Sequence, residues 1–264
     1  MSAIEVQHLV KRYRGITTNA VDDVSFEVAD GQLFCLLGPN GAGKTTTVSI
    51  LTTTLAPSAG RVRVSGVDVV SDPSGVRREI GIVFQGSSLD LNLTAEENIR
   101  LHVVLYGIYP WRPSYRLMPS GYHRQVDELA EMLEVGDHLG RPVRQLSGGT
   151  RRKLEIFRAL LHEPRVLFLD EPTTGLDPLT RRSLWDHLRR VREQQGTTVF
   201  LTTHYLEEAE DADQVCVVAR GSVVELGSPA EMKSRHRSLG APGGSGQAQT
   251  LEDTYLRLLA GVER

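Results

Sequence analysis

Long apolar runs are what this chain most plainly lacks. No stretch approaches the roughly 18 consecutive apolar residues of a membrane-spanning helix. The opening Met1-Ser2-Ala3-Ile4-Glu5 has neither the basic nor the apolar region of a signal peptide. The expectation is a cytosolic chain that reaches a membrane by docking on another protein. Cysteine is scarce: Cys35 and Cys216 lie in separate apolar, strand-like runs without metal-like spacing. That excludes a disulfide scaffold and implies two small core residues in a reducing compartment. A basic excess is absent too. Lys and Arg total 30 against 33 Asp and Glu, a formal net charge of −3, so no nucleic-acid partner is expected. The arginines cluster at Arg151-Arg152-Lys153, Arg181-Arg182 and Arg189-Arg190, in helical patterns with acidic residues nearby; solvated helix faces are the expectation. None of the four lysines (Lys11, Lys44, Lys153, Lys233) sits in an Asn/Thr-Lys-x-Asp stretch that would read guanine.

The 264 residues, 40% apolar and 24% charged, suffice for one large domain or two lobes with a sizeable core. The stretch that organises them is Leu36-Leu37-Gly38-Pro39-Asn40-Gly41-Ala42-Gly43-Lys44-Thr45-Thr46, which fits G-x-x-x-x-G-K-[ST]. Its glycines let backbone N–H groups face a polyphosphate. Its lysine reaches the β- and γ-phosphates, and its threonine hydroxyl is placed for Mg²⁺. A helix starting at the loop adds amide donors and the positive end of its dipole. Leu33–Leu37 reads as a buried strand feeding the loop.

Residues 4–28 alternate apolar and polar, as short antiparallel strands do. Tyr13 is either a half-buried strand aromatic, which position alone favours, or a platform for a flat heterocycle. Thr45 to about Leu55 is expected to be helical despite six threonines, which tertiary packing must offset. Strands follow at Arg61–Val64 and Ile80–Phe84, the latter ending at Gln85. Between residues 86 and 161 the pattern is helical, with an exposed Pro-, Tyr- and Arg-rich connection at residues 109–121. Strands return at Val166–Leu169, Thr198–Thr202 and Val215–Ala219, with a helix over Pro178–Gln195 between the first two. Such alternation indicates an α/β fold with a mainly parallel sheet. A hairpin into Ser222–Leu226, a glycine-rich linker and a last helix capped by Thr250 with Asp253 complete the chain. The apolar face of that helix must dock on this chain or on a partner.

Two further motifs carry chemistry. Val166-Leu167-Phe168-Leu169-Asp170-Glu171-Pro172 ends a hydrophobic strand in a carboxylate suited to holding Mg²⁺ through water. Its neighbour Glu171 is placed to polarise a water for in-line attack on the γ-phosphate. Leu146-Ser147-Gly148-Gly149-Thr150 opens a helix and makes a second anion-binding N-terminus, although a plain serine cap is the simpler reading in isolation.

From about Ile4 to Leu226 the chain resembles the nucleotide-binding subunits of ABC transporters. The resemblance rests on Gly38–Thr45, Gln85, Leu146–Gly149, Asp170-Glu171, Gly175-Leu176-Asp177 and His204, in that family's order. Leu201-Thr202-Thr203-His204-Tyr205-Leu206-Glu207-Glu208-Ala209-Glu210 and Leu251-Glu252-Asp253-Thr254-Tyr255-Leu256 are similar to the daunorubicin-resistance-type and nodulation-type exporter ATPases. The resemblance implies a P-loop ABC fold over residues 1–234, with an N-terminal antiparallel β subdomain and a helical subdomain inserted at about 86–161. A linker (235–249) and a C-terminal helix (250–264) follow. It implies ATP and Mg²⁺ as ligands. Tyr13 would stack on adenine. Gly38, Pro39, Asn40, Gly41, Ala42, Gly43, Lys44, Thr45 and Thr46 would hold the phosphates. Thr45, Gln85 and Asp170 would serve the metal, Glu171 would be the general base, and His204 and Gln85 would act beside it. Ser147, Gly148, Gly149 and Asp177 would complete a neighbour's site in a homo- or heterodimer. The partner implied is an integral membrane permease on a separate chain, met at the cytoplasmic face of the cell membrane. The exported cargo would be a drug, antibiotic or similar small molecule. Thr150 departs from the Gln or Met commoner at its position.

Overall fold

Period-two alternation builds the first sheet. Strands β1 (Ser2–Lys11) and β2 (Val21–Ala29) pair antiparallel, and β2 buries Val21, Val24, Phe26 and Val28 while exposing its intervening polar residues. The chain continues through β3 (Leu33–Leu37), helix α1 (Lys44–Leu51), β4 (Ala59–Val64), β5 (Val67–Asp68) and α2 (Pro73–Glu79). Next come β6 (Ile80–Val83), α3 (Ala95–Leu105), α4 (Ser120–Leu133), α5 (Gly148–Leu160), β7 (Val166–Asp170) and α6 (Pro178–Gln195). The last stretch runs β8 (Thr198–Thr203), α7 (Leu206–Glu210), β9 (Gln214–Ala219), β10 (Ser222–Gly227), α8 (Pro229–His236) and α9 (Leu251–Val262). This computed structural model describes residues 2–236 and 250–262. It divides into two units, Met1–Glu79 with Thr198–Arg264, and Ile80–Thr197.

In the first unit β2, β1, β4 and β5 form an antiparallel sheet in that order. A second set of strands places β3 between β8 and β9, parallel to both, with β10 antiparallel on β9. Every side chain of β3 is buried, as a strand covered on both faces requires. Phe34 stacks on Phe26 of β2 at 5.0 Å and on Phe200 of β8 at 5.1 Å between ring centroids, which joins the antiparallel strands to the parallel ones. Cys35 and Cys216 are buried free thiols, and burial pushes the Cys216 thiol up to about 12. Helix α9 docks on this chain, against α7, α8, β9 and β10. Leu251 is buried, its amide donates to Glu210 Oε1, and Thr250 and Asp253 exchange the expected capping bonds.

Helix α1 is shorter than the threonine-rich run suggests. Thr52 closes it, Thr53 takes φ +62, and the Thr52 and Thr54 hydroxyls donate to the carbonyls of Val48 and Ser49. Such local side-chain bonds compete with continuing the helix. Of the linker expected over 235–249, Arg235 and His236 instead close α8; residues 237–249 lie outside the described residues.

In the second unit β6 and β7 pair in parallel, α5 packs on β6, and α3, α4 and α6 pack on α5. Thr94 and Glu97 form a capping box at the start of α3. The fully buried Tyr122 of α4 donates its hydroxyl to Glu96, which also holds Arg100 at 2.9 Å. Arg100 in turn donates to the Arg112 carbonyl, pinning the 109–121 connection while Trp111 stays exposed. Among the described residues no helix is long and apolar enough to cross a membrane.

Phe34 sits at the centre of the aromatic stack, so Phe34→Ala leaves a cavity. Its unfolding free energy should fall by about 3–5 kcal/mol, read from the shift in denaturant midpoint at constant m-value. A loss below about 1 kcal/mol would show that the stack does not join the two sets of strands.

Candidate functional site

The phosphate loop leaves β3 at Leu37 and enters α1 at Lys44, with two glycines at which a Cβ would clash. Gly43 has φ +101, and a Cβ there would lie 2.4 Å from the Ala20 carbonyl oxygen. A Cβ on Gly38 would lie 2.3 Å from that of Val218. Gly43 caps α1 with no side-chain cap, and the first turn holds no acidic residue, so the helix start suits an anion. Lys44 is only 5% exposed, and its ammonium donates to the carbonyls of Gly38 (2.8 Å) and Pro39 (3.2 Å). The loop is braced from behind. Gly38 N–H donates to the Thr203 carbonyl, and Gly221 N–H, in the β9–β10 turn, donates to that of Ala42.

Two other expected residues lie in this unit. Leu37 of β3 stands opposite Thr203 of β8, so the phosphate loop and His204 leave neighbouring strand ends. The His204 ring packs on Tyr205 at 4.2 Å. Tyr13 lies past the end of β1 and is 40% exposed, which overturns the half-buried strand reading that position favoured. Its hydroxyl is 3.3 Å from Thr46 Oγ1, so an open ring stands beside the phosphate loop.

The second unit holds the remaining candidates. Val83 stands opposite Leu169, which sends Gln85 and Asp170-Glu171 out from neighbouring strand ends. Asp170 is buried. Glu171 has φ +47, a left-handed conformation that costs a non-glycine residue roughly 1–3 kcal/mol. Gln85 Nε2 at 3.2 Å and Thr174 Oγ1 at 3.3 Å both donate to Glu171 Oε2. Ser147 caps α5, accepting from Thr150 N–H at 3.1 Å, and its hydroxyl also meets Thr150 Oγ1 at 2.9 Å. Asp177 caps α6 by accepting from the amides of Leu179 and Thr180. The Thr180 hydroxyl, and then its amide, hold the Asp177 carboxyl below the usual range. Gln85, Gly148 and Glu171 line one open depression of about 210 Å³.

Arg152 lines the same depression, and the sequence reading misses it. The expected solvated face is corrected here: Arg152 is 7% exposed. Its guanidinium donates to the carbonyls of Phe84 (2.6 Å), Asp170 (3.1 Å) and Pro172 (2.9 Å), and to Glu155 Oε2 (2.8 Å). A signal was present. Arg152 and Glu155 share one helical face with Ile156 and Ala159, and an acid–base pair three apart on an apolar stripe marks a buried ion pair.

A family model described as ABC transporter matches residues 21–174. The chain belongs to the ABC transporter family. It is 43% identical over 233 residues to the daunorubicin/doxorubicin resistance ATP-binding protein DrrA of Streptomyces peucetius, covering 88% of this chain and 67% of that protein. It is 39% identical over 230 residues to the Nod factor export ATP-binding protein I of Ralstonia nicotianae, covering 87% and 68%. An ATP-binding subunit of an ABC transporter matches in structure with a TM-score of 0.79 at 28% identity, over 97% of this chain and 99% of that one. A dimeric ATP-binding cassette in a post-hydrolysis state bound to ADP and Pi matches with a TM-score of 0.74 at 26% identity, over 85% and 98%. ABC cassettes bind nucleotide and hydrolyse ATP, dimerise and work with a membrane permease, and this chain is one of them.

Each unit carries a hard oxygen donor of the kind Mg²⁺ takes. No group of three or more His, Cys, Asp and Glu suited to a metal ion occurs among the described residues. Mg²⁺ at a nucleotide site takes one or two protein oxygens and relies on substrate phosphates for the rest. The buried Asp170 carboxylate and the Thr45 hydroxyl are donors of that hard kind.

Gly43→Ala puts a Cβ into the Ala20 carbonyl at a positive φ, so the loop must shift. ATP affinity should fall at least tenfold, about 1.4 kcal/mol, in a fluorescent-nucleotide titration. Unchanged affinity would contradict a phosphate cradle built on Gly43.

Proposed function

We propose that this chain is the ATP-hydrolysing subunit of an ABC exporter, acting in a dimer whose closure on ATP drives a permease on a separate chain at the cytoplasmic face of the cell membrane. The observation that carries the reading is Glu171. A strained, left-handed carboxylate next to the buried Asp170, held by Gln85 and Thr174, is a group positioned against its own backbone preference. Strain of this kind persists where the surroundings over-determine a position, and it clusters at active sites.

The residues divide the work. Tyr13 stacks on the adenine. The amides of the loop from Gly38 to Thr46, with the Lys44 ammonium, bind the phosphates. Thr45, Asp170 and Gln85 would hold Mg²⁺ through their side-chain oxygens, and the ion would supply positive charge to phosphate oxygens. Glu171 orients a water and accepts its proton as the water oxygen attacks the γ-phosphate. His204 donates to the γ-phosphoryl oxygens and fixes their orientation. Ser147, Gly148 and Gly149, at the start of α5, present amide and hydroxyl donors to the nucleotide on a neighbouring subunit, with Asp177 at the seam. The names of the two relatives support export of a drug, antibiotic or similar small molecule.

Glu171→Gln should abolish steady-state turnover, leave ATP binding intact and let an ATP-bound dimer accumulate. Undiminished hydrolysis by this variant removes Glu171 from the role of base. Adding Gly148→Asp to that background places a carboxylate at an exposed glycine with nothing within 4 Å. The loss of ATP-dependent dimer in light scattering is expected, since the new charge faces the partner's phosphates. A dimer that persists in the double variant overturns the shared site.

A further inference from the structure

We propose that Arg152 is a positioning residue for hydrolysis, setting the backbone that aims Glu171 and Gln85 at one another. The proposal rests on the reading of Glu171 as the base. One guanidinium donates to the peptide just before Gln85, through the Phe84 carbonyl, and to the two peptides on either side of Glu171's own carbonyl, through Asp170 and Pro172. The 3.2 Å bond between Gln85 Nε2 and Glu171 Oε2 joins side chains whose backbones Arg152 already clamps together.

The chemistry suits arginine alone. Its planar fork serves four acceptors at once, three carbonyls and the Glu155 carboxylate, whereas an ammonium is a point donor on a flexible stem. Glu155, 5% exposed, balances the buried charge at 2.8 Å and fixes the rotamer of the fork. The clamp also has a lever. Arg152 stands in the second turn of α5, whose first residues are the exposed Gly148 and the buried Gly149 next to the Ser147 cap. A displacement of that helix start reaches the Asp170 and Pro172 carbonyls through a single side chain. An ordinary buried strap would make the same bonds without affecting the chemistry, so the two must be separated by rate rather than by stability.

The test compares Arg152→Lys and Arg152→Gln in the full chain, reading thermal midpoint, ATP Kd, KM and kcat. The Lys variant keeps the charge and the pairing with Glu155, so it carries the test should the Gln variant fail to fold. The expected result for Lys is a kcat lower by at least about tenfold, with KM and Kd within about threefold, because a small misplacement of reacting groups acts on the transition state. In the Glu171→Gln background, Arg152→Lys should change the residual single-turnover rate by less than about twofold, since the two act as one unit. A folded Arg152→Lys with kcat within about twofold of the parent overturns the proposal, as does an undiminished tenfold loss in the Glu171→Gln background. Glu171→Gln alone retaining full turnover would instead overturn the reading of Glu171, a result visible before Arg152 is touched.

Discussion

The first unit is arranged around a buried ammonium. Taking an ion out of water costs several kcal/mol unless polar groups replace the solvent. Lys44 meets this constraint with carbonyl dipoles of its own loop, at Gly38 and Pro39. That solution dictates the neighbourhood. The loop must curl tightly enough to turn its carbonyls on the lysine, which sets Gly43 at φ +101 and brings Gly38 against the Val218 carbonyl. The strands behind it must hold that curl, which β8 does through Thr203 and the β9–β10 turn through Gly221. A buried cation held by loop carbonyls is a ready host for a polyphosphate, whose full charges pair with it more strongly than dipoles can.

The same logic of strand ends operates in each unit. Parallel neighbours finish at a common edge, so residues far apart in sequence leave side by side. Leu37 opposite Thr203 delivers the phosphate loop and His204, and Val83 opposite Leu169 delivers Gln85 and Glu171. Ligands of open α/β sheets bind outside those carboxyl ends. The second unit adds a helix start, α5, capped by Ser147 and tied by Arg152 to the backbone around Glu171.

Much of this was legible in the residues. The phosphate loop and the Asp170-Glu171 pair declare themselves by spacing. Helix α6 runs over Pro178–Gln195 as expected because its stop and start are local: an Asp cap, proline at its first position, and Gly196 in the left-handed region at its end. The failures are physical in origin. α1 ends at Leu51 because threonine hydroxyls bond back to its carbonyls, a competition that apolar periodicity does not register. Arg152 reads as a surface charge until its helical neighbours are seen to be buried. Tyr13 reads as a strand residue because the end of β1 is set by pairing with β2, not by the tyrosine's own neighbours. The docking of α9 on α7, α8, β9 and β10 depends on contacts among distant segments that no local pattern announces.

We propose that catalysis belongs to two subunits, in which the donors at Ser147–Gly149 would serve a phosphate loop other than their own. The most direct measurement is ATPase activity per chain as a function of protein concentration, with the association state followed by sedimentation under the same conditions. Specific activity should rise with concentration as dimers form and reach a plateau when dimerisation is complete. A specific activity that stays constant down to concentrations where only monomer sediments would contradict it.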